Sequence, residues 1–240
     1  TQLPRDPYGD GMMVCRPNAT GAPASSAKFW SMESLTSPEF DSDYQIIMMQ
    51  EGFCKQLCFV DHPSDSQALL HHERFIREGY RQNWLIDDLM VASMGMTTRG
   101  EYRVRYSGGF PLGFTDALSK RAYLFNHVNI HVSYQDNSDG TFSIVGASVE
   151  PLSVQHMSAT AGMSICGVSQ SKHLEPSDIS SSQPVHAESG IMYTYDVIWS
   201  ESDVDWKFRW NVYLTEDHLV PAVVHWYSIF NSLAVVVVFA

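Results

Sequence analysis

Val128-Asn129-Ile130-His131-Val132-Ser133-Tyr134, followed after a short break by Phe142-Ser143-Ile144-Val145-Gly146-Ala147-Ser148-Val149, decides the fold class. In the first stretch Val128, Ile130, Val132 and Tyr134 alternate with polar residues. Side chains of a strand point alternately to opposite faces, so one face is expected in a core and the other is polar. The break, Asp136-Asn137-Ser138-Asp139-Gly140, holds residue types that accept positive φ, so an antiparallel hairpin is expected.

Two further stretches alternate in the same way. Ile191, Tyr193, Tyr195, Val197 and Trp199 form one set; Trp206, Phe208, Trp210, Val212 and Leu214 form the other, opposite Lys207, Arg209, Asn211 and Thr215. They are expected as neighbouring strands joined by the polar residues 200–205, with their aromatic side chains mainly in the core. One segment departs from period two: across 64–80, Leu69, Leu70, Phe75 and Ile76 recur at helical spacing, with Asp65 early, Arg74 and Arg77 late, and Gly79 as the stop. Residues 17–27 and 169–189, rich in small residues, Ser and Pro, read as loops. Many strands, few helices and no alternation of strand with helix imply an all-β, β-sandwich-like fold with one or two short helices.

The chain has 240 residues, a hydrophobic fraction of 44% and a charged fraction of 18%, which suits a globular chain of one large all-β domain or two small ones, either with a sizeable core. Its formal net charge of −12 argues against nucleic acid as a partner, because phosphate binding needs clustered Lys and Arg. Cys15, Cys54, Cys58 and Cys166 make an even set, and Asn18-Ala19-Thr20 is an N-glycosylation sequon. Disulfides in an oxidising compartment are preferred to a zinc site, with all three pairings open. The polar start, Thr1 to Asp6, lacks an apolar leader core, so a leader removed earlier or a longer parent chain is expected.

No stretch carries a catalytic motif. His71-His72-Glu73-Arg74-Phe75-Ile76 resembles a zinc-protease helix, but Ile76 stands where the second histidine must share a face with His72. The bland reading of both histidines is an exposed helix face. His127 and His131 share a strand face yet lie about 13 Å apart at 3.3 Å per residue, too far for one ion. Asp87-Asp88 reads as a turn or cap, and Gly108 to Phe114 as a tight turn packing Phe110 and Phe114. We therefore expect no catalytic residue, no metal and no cofactor.

Leu219 to Ala240 contains no Asp, Glu, Lys or Arg and finishes Val235-Val236-Val237-Val238-Phe239-Ala240. The run is expected to enter a membrane helix that the sequence leaves unfinished, with Trp226 and Tyr227 at the boundary between water and hydrocarbon. This divides the chain into a domain over 1–224 and the start of a span over 225–240, with the lipid bilayer as a partner. The competing expectation is a buried C-terminal strand.

Eight segments in order resemble one family. They are CRP at Cys15, CKQLC at Cys54, NWLIDDL at Asn83, GFPLGF at Gly109, NHVNIHVSY at Asn126, IVGASVEPLSVQH at Ile144, YDVIWSESDVDWKFRWNVYL at Tyr195 and VHWYSIFNSL at Val224. Together they resemble the amino-terminal luminal domain of the nonaspanins, the transmembrane-nine superfamily. The resemblance implies a non-enzymatic luminal domain of a multi-pass Golgi or endosomal membrane protein. It further implies roles in sorting membrane proteins as cargo, in adhesion or phagocytosis, or in small-molecule carriage. Met90, Ala147-Ser148 and Asn211 depart from the family pattern. The rival class is a secreted hydrolase or carbohydrate-binding sandwich that uses exposed aromatic side chains as a platform.

Overall fold

The computed structural model describes residues 12–15, 44–61, 67–96, 102–106, 108–156, 165–167, 172–176, 179–186, 190–214 and 232. In chain order the elements are β1 (Gly52–Val60), α1 (Gln67–Arg77), β2 (Arg81–Gln82), β3 (Leu85–Ile86), β4 (Leu89–Met90), β5 (Ala92–Met96) and β6 (Tyr102–Arg105). They continue with β7 (Phe110–Pro111), β8 (Gly113–Thr115), β9 (Ala122–Leu124), β10 (His127–Asp136), β11 (Phe142–Leu152), β12 (Ile191–Glu201) and α2 (Asn211–Leu214). Short 3-10 turns lie at Ile179–Ser181 and Trp206–Phe208. The fold is all-β, and no helix among the described residues is long and apolar enough to cross a membrane.

A six-stranded sheet in the order β1-β12-β10-β11-β5-β6 organises the molecule. The expected hairpin is its centre: β10 pairs antiparallel with β11, from His127 opposite Leu152 to Asp136 opposite Phe142. On its other side β10 runs parallel to β12, with Ile130 opposite Val197. A parallel neighbour needs a long crossover, and here the 38 residues between β11 and β12 supply it.

One face of this sheet carries the core. Val128, Ile130 and Val132 on β10, Ala147 and Val149 on β11, and Tyr195 and Val197 on β12 form one apolar cluster. Phe110 of β7 and Ile86 of β3 close over it, with Trp84 from the link between β2 and β3. A second cluster joins Leu69, Phe75 and Ile76 of α1 to Leu124 of β9 and Tyr193 of β12. The covering layer is thus a helix and three two-stranded ribbons, where the sequence suggested a second sheet. Helix α1 stops as expected, with Gly79 in the left-handed region at φ 74°.

Two expectations are overturned. Trp206 to Leu214 is no strand: Asp205 caps a 3-10 turn by accepting the N–H of Lys207, and α2 follows directly. The faces are inverted as well, for Arg209 and Tyr213 are buried while Trp206, Phe208 and Trp210 are exposed. The Arg209 guanidinium donates to Asp87 Oδ2 at 2.6 Å and to Ile144 O at 3.0 Å. Those acceptors lie 122 and 65 residues away, outside any local period. On α1, His72 is 2% exposed, against the solvent-facing position expected for both histidines. Its Nδ1 accepts the N–H of Met13, which fixes the segment before Cys15 on the helix.

Candidate functional site

The second face of the large sheet is polar, and where β10 and β12 begin it is covered, while Ser200 further along it is exposed. Pairing registers put Glu150, Asn129 and Asp196 in one row across β11, β10 and β12, and Leu152, His127 and Thr194 in the next. All four polar side chains of β10 and β12 in these rows, His127, Asn129, Thr194 and Asp196, are at most 2% exposed. Burying such groups is costly unless each is hydrogen-bonded.

Asp196 is the hub. Its Oδ1 accepts the N–H of Cys54 at 2.5 Å, and its Oδ2 accepts the N–H of Leu174 at 3.0 Å and meets His173 Nδ1 at 3.1 Å. The first contact has a local origin. Between Gly52 opposite Val197 and Lys55 opposite Tyr195, β1 has an extra residue, and Cys54 takes φ 44°. This bulge frees a backbone N–H from the ladder, and the Asp196 carboxyl takes it up. Asn129 donates to Glu150 Oε2 at 3.0 Å and to Leu174 O at 2.8 Å. Tyr102 of β6 also bonds Glu150, and burial pushes that carboxyl above its usual range despite both bonds.

Four histidines border the row. His127 Nδ1 lies 2.7 Å from Thr194 Oγ1, and its Nε2 lies 3.0 Å from Asn129 Oδ1 and 3.6 Å from Asp196. Burial lowers its pKa more than Asp196 raises it, so it sits there as a neutral, hydrogen-bonded ring. His156 Nε2 shares Thr194 Oγ1 at 2.8 Å, and burial brings its pKa down to about 4. His173 stacks on Phe53, with ring centroids 4.4 Å apart. His131 Nε2 is buried without a hydrogen-bond partner among the described residues. Burial, then His173, lowers the His131 pKa, which Asp196 partly offsets.

The cover over this face is held covalently. Cys54 of the bulge is bonded to Cys166, 112 residues on, and Cys166 packs with Leu152, Val154 and Leu174. A second disulfide joins Cys15 to Cys58, 43 residues apart. Both bridges leave β1, four residues apart, and they staple its two flanks to segments distant in sequence. Among the described residues no group of three or more His, Cys, Asp or Glu is placed to hold a metal ion. The hub carboxyl thus ties the bulge of β1 through Oδ1 and the cover through Oδ2.

His71 is exposed on α1, apart from His72. Asp87 and Asp88, at φ 49° and 62°, form the turn between β3 and β4. Gly109, at φ 59°, approaches the Gln82 carbonyl so closely that a Cβ would lie 1.9 Å from it. Asn18, Trp226 and Tyr227 lie outside the described residues. Sequence reading missed Asp196, Asn129 and Thr194, which fall on the polar side of the alternation, and Glu150, which lies just past the expected strand. The positive φ at Cys54 leaves no trace in residue type.

Against known proteins the chain matches the endomembrane protein 70 family over residues 7–240. Transmembrane 9 superfamily member 3 of Saccharomyces cerevisiae is 29% identical over 202 residues, covering 82% of this chain and 27% of that protein. Transmembrane 9 superfamily member 4 of Homo sapiens is 28% identical over 255 residues, covering 98% of this chain and 37% of that protein. Transmembrane 9 superfamily member 10 of Arabidopsis thaliana is 28% identical over 249 residues, with the same coverage of 98% and 37%. The chain therefore spans about a third of the length of these relatives. No solved structure matches it.

Proposed function

Since the chain belongs to the endomembrane protein 70 family, we propose that it is the luminal domain of a multi-pass Golgi or endosomal membrane protein, serving membrane-protein sorting. The observation that carries this reading is the pair of disulfides, Cys15–Cys58 and Cys54–Cys166. Cytosolic thiols are kept reduced, whereas a lumen lets such bridges form and persist. The stretch before the charge-free run, Asn211 to His218, holds no Lys or Arg, which supports the same side of the membrane, because cytoplasmic flanks of spans carry the Lys and Arg excess. In this reading residues 225–240 begin the first span, Trp226 and Tyr227 sit at its interface, and Asn18 carries a glycan.

The domain acts by binding and positioning, without catalysis of its own. Supporting this, the buried polar face uses its carboxyl, amide and imidazole groups to fix Cys54, Leu174 and His173 in place. The cargo is membrane proteins on their way to the cell surface, with adhesion or phagocytosis as the cellular outcome; carriage of a small molecule by the whole parent protein is a separate role.

The test uses the full-length parent protein in cells, tagged within residues 1–224. In sealed microsomes the tag should resist added protease until detergent is supplied, and Asn18→Gln should remove a glycosidase-sensitive mass shift. Removing the parent protein should lower the surface level of a set of membrane proteins, and a chain with Cys54→Ser and Cys166→Ser should fail to restore it. Protease access without detergent overturns the luminal reading; an unchanged cell-surface proteome overturns the sorting role.

A further inference from the structure

The exposed aromatics of the last described segment form a shelf. The Trp206 and Trp210 rings lie 4.9 and 5.8 Å from the one Arg209 guanidinium, which sets them side by side, and Phe208 and Leu214 stand within four residues of Trp210 in the same short stretch. They are 51%, 41%, 78% and 52% exposed in the order Trp206, Trp210, Leu214, Phe208, while Arg209 and Tyr213 of the same stretch face inward. A water-facing helical turn normally has the reverse arrangement, and clustered exposed apolar side chains mark a surface that something covers.

The shelf has company. The 3-10 turn is anchored where β10 and β12 finish, through Trp206 N–H donating to Gln135 Oε1 at 2.8 Å. At the same end Trp199 Nε1 donates to Gln50 O at 3.2 Å and holds the turn that carries exposed Ile47 and Met49. One end of the sheet therefore displays two apolar tips. The charge-free run also follows the Trp206 to Leu214 segment closely in sequence. From Leu214 to Leu219, the first residue of the charge-free run, five residue steps reach at most about 18 Å when fully extended.

We infer that this end of the domain rests on the lipid surface itself, with Trp206, Phe208, Trp210 and Leu214 in the headgroup layer of the luminal leaflet. The inference rests on the reading that 225–240 begins a span, which brings the bilayer within reach of the shelf. Trp suits the occupant, because its amphipathic ring favours the interface between water and hydrocarbon. The local charges select a zwitterionic surface over an anionic one. Lys207 is paired with Asp205 at 2.7 Å and Arg209 with Asp87 at 2.6 Å, and Glu201 and Asp203 stand beside them. Docking at two sites, span and shelf, would fix the tilt of the domain over its membrane and the height at which the capped face is held.

The test uses the full 240-residue chain reconstituted in phosphatidylcholine vesicles, with or without bromines near the headgroup end of the acyl chains. Trp226→Phe removes the reporter nearest the proposed span. In that chain the bromines should still quench tryptophan emission, and adding Trp206→Phe and Trp210→Phe should cut that quenching by about half or more. Far-ultraviolet circular dichroism and the thermal melt check that each variant is folded. Extraction of the unaltered chain by alkaline carbonate would overturn the span and the shelf together. Retention in the membrane with equal quenching before and after the Trp206 and Trp210 changes would overturn the shelf alone. So would efficient cross-linking of Lys207 between copies without quenching, which would assign the surface to a second chain.

Discussion

The Asp196 side chain on β12 accepts the backbone N–H of Cys54 on β1 at 2.5 Å, and so holds the bulge from which the Cys54–Cys166 bridge departs. One buried carboxyl thereby couples the edge strand, the disulfide and the cover contributed by His173 and Leu174.

Asp196→Ala should destabilise the folded chain by about 3–5 kcal/mol, because it strands two backbone N–H groups and one imidazole in a dry interior. Asp196→Asn keeps one acceptor oxygen and should cost less. Denaturant unfolding of the 240-residue chain measures both, and a loss under about 1 kcal/mol for the alanine variant would remove the hub from the account.

Stability should fall as pH drops from 6.5 towards 4. Burial lowers the His72 pKa from 6.5 to about 4, so in this window the unfolded chain takes up a proton that the folded one refuses. The contribution is therefore whole above 6.5 and lost towards 4, about 3 kcal/mol for this residue at 1.36 kcal/mol per unit. Burial acts in the same direction on His127 and His156. His72→Asn, which keeps an acceptor for Met13, should flatten the pH dependence of the unfolding free energy; an unchanged slope would count against His72 as its source.

Removing either disulfide should cost about 4–5 kcal/mol by loop entropy, because the closed loops of 43 and 112 residues differ little on a logarithmic scale. Their local effects should differ. Hydrogen exchange at Leu174 should rise when Cys54 and Cys166 become serine and stay protected when Cys15 and Cys58 do. Equal exchange in the two variants would separate the cover from the bridge.

Arg209→Ala should cost about 2–3 kcal/mol, since Arg209 bonds Ile144 O as well as Asp87 and packs its guanidinium over the Trp206 and Trp210 rings. Asp87 is half exposed, so its share should be small, with a coupling near 1 kcal/mol in a double-mutant cycle. A coupling of zero would leave the inverted face without its electrostatic cause.

Gly109→Ala should prevent stable folding or cost more than about 3 kcal/mol, because φ is 59° and the added Cβ would meet the Gln82 carbonyl at 1.9 Å. Gly95→Ala, with nothing within 4 Å, serves as the control and should change the thermal midpoint little. Similar melts for the two variants would refute the close approach.

The residues of β10 and β11 carry a hairpin within their own alternation and connector, and helix α1 is written in the spacing of Leu69, Phe75 and Ile76 and in the stop at Gly79. Those features are legible because each depends on neighbours within one turn or one hairpin. The family, too, was readable in the eight segments, since order and residue identity need no coordinates. Alternation says which side chains share a face, but not what later covers it. Asp196 and Asn129 read as solvent-facing until Leu174 and Cys166 return over them from the crossover. The same limit reversed Trp206 to Leu214, whose period of two was compatible with a strand until Asp87 and Ile144 drew Arg209 inward. Disulfide pairing belongs with these, because four cysteines permit three pairings and only the meeting of distant segments selects one. Local elements can be read from residue order because their energies are local; the second face becomes an interior only in the assembled fold, because desolvation depends on which remote segment arrives to exclude water.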